Sequence, residues 1–146
     1  MKKAKETKIF VGQKAFIRKG RKVLVLRDPN HLVGSQTGLD FPGGRFRWGG
    51  SPEDELVREV TEETGLKIKV GRPFTVWTNK TYKDKGVRKP IFLIGFICEY
   101  VNGEVRLSDE HDRFEWMDQK SYLKWKDDSD YFKALEEYFK IVGMDG

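Results

Sequence analysis

The first regular alternation of apolar and polar positions falls in "KIFVGQKAFIRKGRKVLVLRD" (8–28), with Phe16 on one side of Lys19-Gly20 and Val23, Val25 and Leu26 on the other. Two strand-like runs around a glycine turn predict a β-hairpin. "PNHLVGSQTGLDFPGG" (29–44) has no period and is rich in Pro, Gly, Asn and Ser, so it is expected to be an irregular loop. At Ser51 the period changes. Ser51 suits an N-cap, Pro52 the first helical position and Asp54 the capping-box acid, while Gly65 suits a left-handed stop, which predicts a helix from Pro52 to Thr64. "KIKVGRPFTVWTNKTY" (67–82) and "KPIFLIGFICEYV" (89–101) read as strands, and the second is expected to be central because it is apolar on both alternating sets. The charged "KDKGVRK" (83–89) is expected to loop between them, and Asn102-Gly103 predicts a hairpin turn into "EVRLS" (104–108). In "DDSDYFKALEEYFKIVG" (127–143), Phe132, Leu135, Tyr138, Phe139 and Val142 recur at helical spacing, with Asp or Ser to cap the start and Gly143 to stop the end.

A chain of 146 residues with this mixture of strands and helices predicts one α/β domain over 1–146, able to bury roughly two-thirds of the surface its unfolded form exposes. Its longest apolar run, "IFLIGFI" (91–97), is too short to span a bilayer, and the basic "MKKAKETK" is followed by a strand rather than a secretory apolar core, so a cytoplasmic location is expected. Cys98 is the single cysteine and sits in that apolar run, as a buried structural thiol does.

Charge adds the chemical hint. From Ser51 to Leu66 there are six acids and one arginine, a local charge of −5, so a chain of net charge +5 carries +10 outside this helix. An acidic patch in a basic surround suits a metal-bound polyphosphate. On the helix, Leu56, Val57, Val60 and Thr64 fall on one arc, and Glu55, Glu59, Glu62 and Glu63 on the opposite one. A solvated helix face usually sets lysines four residues after acids. Here Glu55 meets Glu59 and Glu59 meets Glu63, each like pair costing a few tenths of a kcal/mol. Cations to offset this are expected, and with no His or Cys cluster the natural choice is Mg²⁺ or Mn²⁺.

Arg58-Glu59-Val60-Thr61-Glu62-Glu63-Thr64-Gly65-Leu66 resembles the second half of the Nudix box, Gly-x5-Glu-x7-Arg-Glu-U-x-Glu-Glu-x-Gly-U with U aliphatic. All seven specified residues of these nine positions match, Gly44 stands at the right distance to open the box, and "FPGG" precedes it as is typical of that family. The resemblance implies the Nudix fold, an α/β/α sandwich with a central mixed β-sheet and a loop-helix. It also implies hydrolysis of a nucleoside diphosphate linked to another moiety, by water attack on phosphorus. Carried over by residue, it makes Glu59, Glu62 and Glu63 metal ligands or general-base candidates, the carbonyl of Gly43 a further ligand, and Arg58 the partner that orients a glutamate. "LSDEHDRFEWM" resembles a segment in which an acid before a His lies near the metals, making Glu110 a candidate ligand or general base; a solvated loop acid fits the same pattern.

The box departs from the family in its first half. Gly50 stands where the first glutamate belongs, and Arg47 where many members carry another acid. Arg27, Arg45 and Arg47 flank the site as phosphate-binding candidates, although each also reads as ordinary surface charge. Trp48 and Trp77 offer faces for base stacking, the latter from a strand position that also suits a core, and Trp116 reads as core. Tyr82, 16 residues after Leu66, resembles a tyrosine of the subgroup cleaving dinucleoside polyphosphates, whereas Pro73 and Pro90 miss the proline offset of ADP-ribose cleavers. His31 and His111 read as structural or exposed. The expected substrate is a small nucleotide, a nucleoside triphosphate or dinucleoside polyphosphate. Two other readings stand beside it: a nucleotide-sensing module that has lost catalysis, motivated by Gly50 and Arg47, and an RNA 5′-end pyrophosphohydrolase, motivated by the basic surround. The sequence leaves monomer and homodimer both open.

Overall fold

The computed structural model describes residues 8–33, 36–84 and 86–144, so most of the basic N-terminal stretch lies outside the described residues. Strands β1 (Phe10–Lys19) and β2 (Lys22–Arg27) form the expected hairpin, with Arg18 opposite Val23. The segment expected to be an irregular loop carries a 3-10 turn at Pro29–Val33 and two short strands, β3 (Leu39–Asp40) and β4 (Gly43–Arg45). β3 pairs with β2 and β4 with β1, both antiparallel. Strands of two or three residues owe their form to these long-range partners, and no local period announces them.

Helix α1 runs from Pro52 to Thr64 as expected. The Ser51 hydroxyl accepts the Asp54 N–H at 3.1 Å, and Gly65, at φ +74°, donates its N–H to the Thr61 carbonyl at 2.9 Å. Two long strands follow, β5 (Lys67–Asn79) and, after the short antiparallel pair β6 (Lys83–Asp84) and β7 (Val87–Arg88), β8 (Ile91–Asn102). In the stretch expected to be a plain loop, Lys83–Asp84 and Val87–Arg88 therefore pair as short strands. β8 is central: β1 runs parallel along one edge and β5 antiparallel along the other, giving a mixed sheet in the order β3-β2-β1-β8-β5.

Residues 104–108 do not form a hairpin arm. The Arg106 N–H donates to the Thr64 carbonyl at 2.8 Å and the Ser108 N–H to the Glu63 carbonyl at 3.1 Å. Carbonyls at a helix C-terminus have no partner within the helix, and this segment supplies one. β9 (Arg113–Met117) then pairs with β2. Helix α2 (Asp130–Met144) continues through Gly143 rather than stopping there. Val142 packs on the core at this point, and a glycine near a helix end costs only about 1 kcal/mol.

The two helices lie on opposite faces of the sheet, an α/β/α sandwich with a mixed central sheet. Leu56 and Val60 of α1 pack with Ala15, Ile17, Leu24, Phe96 and Cys98, while Phe132, Leu135, Tyr138 and Phe139 of α2 pack with Phe16, Leu39, Phe41, Trp77 and Leu93. Each fully buried leucine contributes about 1.5–3 kcal/mol. Cys98 is a core thiol whose pKa burial pushes up to about 12, Trp77 is core, and Trp116 packs half-buried on the α1 side. The inner face of α1 differs from expectation in one residue. Glu63 is buried beside Leu56, Val60 and Thr64, not aligned with the outer acids. Among the described residues no helix is long and apolar enough to cross a membrane.

Candidate functional site

A cavity of about 610 Å³ opens where the C-terminal half of α1 meets the start of β4. Of the residues predicted from sequence, Gly43, Arg45, Arg47, Glu59, Glu63, Tyr82 and Glu110 line it. Others do not. Arg27 pairs with Asp112 at 3.4 Å, Trp48 is 96% exposed, and Glu62 points to solvent, so these three lie outside the lining among the described residues.

The Gly43-Gly44 pair is what lets two carboxylates meet the backbone. A Cβ on Gly43 would fall 2.0 Å from the Gln13 carbonyl oxygen, and its φ of +137° is strained for any L side chain. With that position bare, β4 lies against β1 and the Gly43 N–H donates to Glu63 Oε2 at 2.8 Å. At Gly44 a Cβ would come within 2.8 Å of Glu59 Oε2, so that carboxylate packs on the glycine itself.

Arg58 stands behind these groups and gathers three acids, donating to Glu55 and Glu59 at 2.9 Å and to Glu62 at 2.8 Å. The stacked carboxylates thus share one guanidinium, which lowers the Glu55 pKa through its hydrogen bond. Glu63 has no such partner. Burial pushes its pKa up to about 8, against the opposing pull of Lys14 and the Gly43 N–H.

Sequence reading missed the polar floor of the cavity. Lys14 of β1 and Asp40 of β3 both line it, and Lys14 Nζ sits 3.0 Å from Asp40 Oδ1 while His111 Nε2 sits 2.9 Å from Asp40 Oδ2. For Lys14, burial disfavours the charge but Asp40 outweighs it and the pKa rises; for Asp40, burial is outweighed by Lys14 and the histidines, and the pKa falls. The only local signals were a lysine within a strand-like run, just before Ala15-Phe16-Ile17, and an aspartate between Leu39 and Phe41. His111 is buried, and His31 lines the cavity with Nε2 3.3 Å from Asp28 Oδ2. Tyr131 and Asn79, joined by a 3.1 Å hydrogen bond, form the far wall.

Among the described residues, two groups offer metal ligands. Asp28, Asp40 and His111 present ligand atoms within 4.8 Å of one another. Asp40 already receives an ammonium on one oxygen and an imidazole on the other, so a dication there meets cationic neighbours. Glu59, with Arg58 on one oxygen and the other packed against Gly44, and Glu63, which accepts the Gly43 N–H, also supply hard oxygens, and a buried carboxylate with no salt bridge among the described residues is what a dication satisfies.

A model of the NUDIX domain matches residues 11–138, from β1 into α2. The chain belongs to the Nudix family. It is a Nudix hydrolase, of the pyrophosphohydrolase kind its relatives represent. The "ADP-ribose pyrophosphatase" of Methanocaldococcus jannaschii is 29% identical over 124 residues, covering 85% of this chain and 69% of the relative. The "NAD-capped RNA hydrolase NudC" of Actinobacillus succinogenes is 30% identical over 98 residues, covering 64% of this chain and 34% of that protein. Among solved structures, a MutT protein from Methanosarcina mazei Go1 superposes with a TM-score of 0.72 at 26% identity, covering 96% of this chain and 99% of that one. In this Nudix hydrolase, a side chain on Gly50 would meet Glu55 at an ordinary 3.7 Å, so nothing steric keeps a carboxylate out of that position.

Proposed function

We propose that this Nudix hydrolase is a Mg²⁺- or Mn²⁺-dependent pyrophosphohydrolase acting on a small nucleotide, in which a nucleoside diphosphate is linked to another moiety in a nucleoside triphosphate or dinucleoside polyphosphate. One observation carries the reading. A single cavity has the carboxylates of Glu59 and Glu63 on one wall and the guanidinium groups of Arg45, Arg47 and Arg88 around it. Acids alone repel a polyphosphate, and arginines alone bind it without cutting it.

Glu59, Glu63 and the Gly43 carbonyl are the residues to hold the metal; Glu62, which the family motif also implies, faces solvent on Arg58 outside the cavity lining among the described residues. When bound, such an ion neutralises phosphate charge and acidifies a bound water. The chain does the rest. Arg58 fixes the Glu59 carboxylate, Glu110 from the facing loop takes the proton of the attacking water, and Arg45 and Arg47 bind phosphate oxygens in the forked geometry that guanidinium favours. Tyr82, held edge-on to Phe10, offers its ring to the base. Replacing Glu59 or Glu63 by Gln should abolish metal-dependent hydrolysis and leave the fold intact; full activity in both variants would sink the reading.

A further inference from the structure

Glu110 belongs to a segment with little structure of its own. Residues 103–112 contain no strand or helix, and both Asp109 and Glu110 are exposed. Yet Glu110 lines the cavity. The segment is tied at its start by Ser108, whose N–H donates to the Glu63 carbonyl, and at its end by Asp112, whose N–H donates to the Arg27 carbonyl at 3.2 Å. Between these ties its one side-chain anchor in the protein interior, among the described residues, is His111. The imidazole is 2% exposed, and its Nε2 meets Asp40 Oδ2 at 2.9 Å.

Asp40 is itself immobilised. Its other oxygen takes the Lys14 ammonium at 3.0 Å, and Lys14 stands opposite Gly43 in the β1–β4 register. The anchor for Glu110 and the strand pair that holds Gly43 against Glu63 therefore share one foundation. His111, by contrast, is outside the cavity lining among the described residues.

We propose that His111 and Asp40 form a clasp that positions Glu110 over the cavity, so that both are positioning residues acting on catalysis through Glu110. The proposal rests on the hydrolase reading above. It assigns to the buried His–Asp pair a role distinct from holding metal and from touching phosphate. The adjacency makes the coupling direct. His111 follows Glu110 in the chain, so releasing the imidazole frees the peptide that carries the carboxylate, and a displacement of about 1 Å at a reacting group can cost about 100-fold in rate.

The test is a double-substitution cycle on the full chain with a substrate the wild type hydrolyses, at saturating Mg²⁺. His111→Leu should lower kcat about tenfold or more, with KM within about twofold of wild type, and His111→Gln, which keeps a donor, should recover part of the loss. Glu110→Gln should lower kcat by itself. Adding His111→Leu to Glu110→Gln should then cost nothing further. Multiplying losses would overturn the clasp, since a merely structural histidine slows both backgrounds alike. Should His111→Leu fail to fold, His111→Ala takes its place in the cycle. Hydrogen exchange gives the second readout: the amides of Ser108 and Asp112 should exchange faster in His111→Leu while those of α1 do not, and unchanged exchange contradicts the proposal. A fully active Glu110→Gln overturns the clasp's catalytic role and leaves the hydrolase reading standing; a wild type that cuts no nucleotide overturns the hydrolase reading itself.

Discussion

Replacing Glu63 with Gln separates the stability cost of this carboxylate from its use. Glu63 is 6% exposed and accepts one backbone N–H, and its pKa rises from 4.5 to about 8, chiefly through burial. Between those two values the folded, metal-free chain holds a proton that the unfolded chain has lost. Unfolding then releases a proton, so stability falls as pH rises, by about 1.4 kcal/mol per unit. By pH 7 the cost attributable to Glu63 is about 3 kcal/mol. Gln fills the same space, keeps an oxygen for the Gly43 N–H and does not titrate. Urea denaturation in EDTA at pH 5, 6, 7 and 8 should show the stability of Glu63→Gln minus that of wild type growing with pH, by about 3.5 kcal/mol in favour of the variant between pH 5 and pH 8. Taking the difference cancels the titration of groups remote from Glu63. Mg²⁺ at pH 8 should restore wild-type stability and leave the variant unmoved, while hydrolysis by the variant falls about 100-fold or more. A difference that stays flat with pH would refute the buried-acid argument.

Gly43→Ala should lose about 3 kcal/mol or more, read by chemical denaturation, because its Cβ meets the Gln13 carbonyl and its φ is strained. Arg58→Lys should lower kcat about tenfold or more with a thermal midpoint close to wild type, since an ammonium cannot serve Glu55, Glu59 and Glu62 at once in the guanidinium's fork; steady-state kinetics and thermal melts check it. Tyr82→Ala should raise KM at least about fivefold, as loss of a base-stacking contact does, whereas the fully exposed Trp48→Ala should leave both KM and stability near wild type.

The hairpin of β1 and β2, the limits of α1 and the central place of β8 were all legible, because each is written in local caps or in a period of two. What escaped depends on distant partners. β3 and β4 are strands only because β2 and β1 lie alongside, β9 because β2 offers a free edge, and residues 104–108 turn away from a hairpin because the end of α1 needs donors. The candidate site divides in the same way. Gly43, Glu59 and Glu63 sit together because the motif encodes a loop and a helix that meet. Lys14 and His111 lie 97 positions apart in the chain with Asp40 between, and only the folded sheet brings each of them within 3.0 Å of Asp40. Glu63 was placed on the wrong arc because a helical wheel by itself treats a glutamate as outward, and its burial follows from the backbone donor that Gly43 presents.

The most direct measurement is mass identification of products after incubating the wild-type chain with nucleoside triphosphates, dinucleoside polyphosphates, nucleotide sugars and ADP-ribose in H₂¹⁸O, with and without Mg²⁺ or Mn²⁺. The account predicts that a substrate containing a nucleoside diphosphate linkage is cut only with metal present, one product phosphate carrying ¹⁸O. Nucleotide binding with no cleavage of any of these in either metal would contradict it, and would leave a nucleotide sensor in its place.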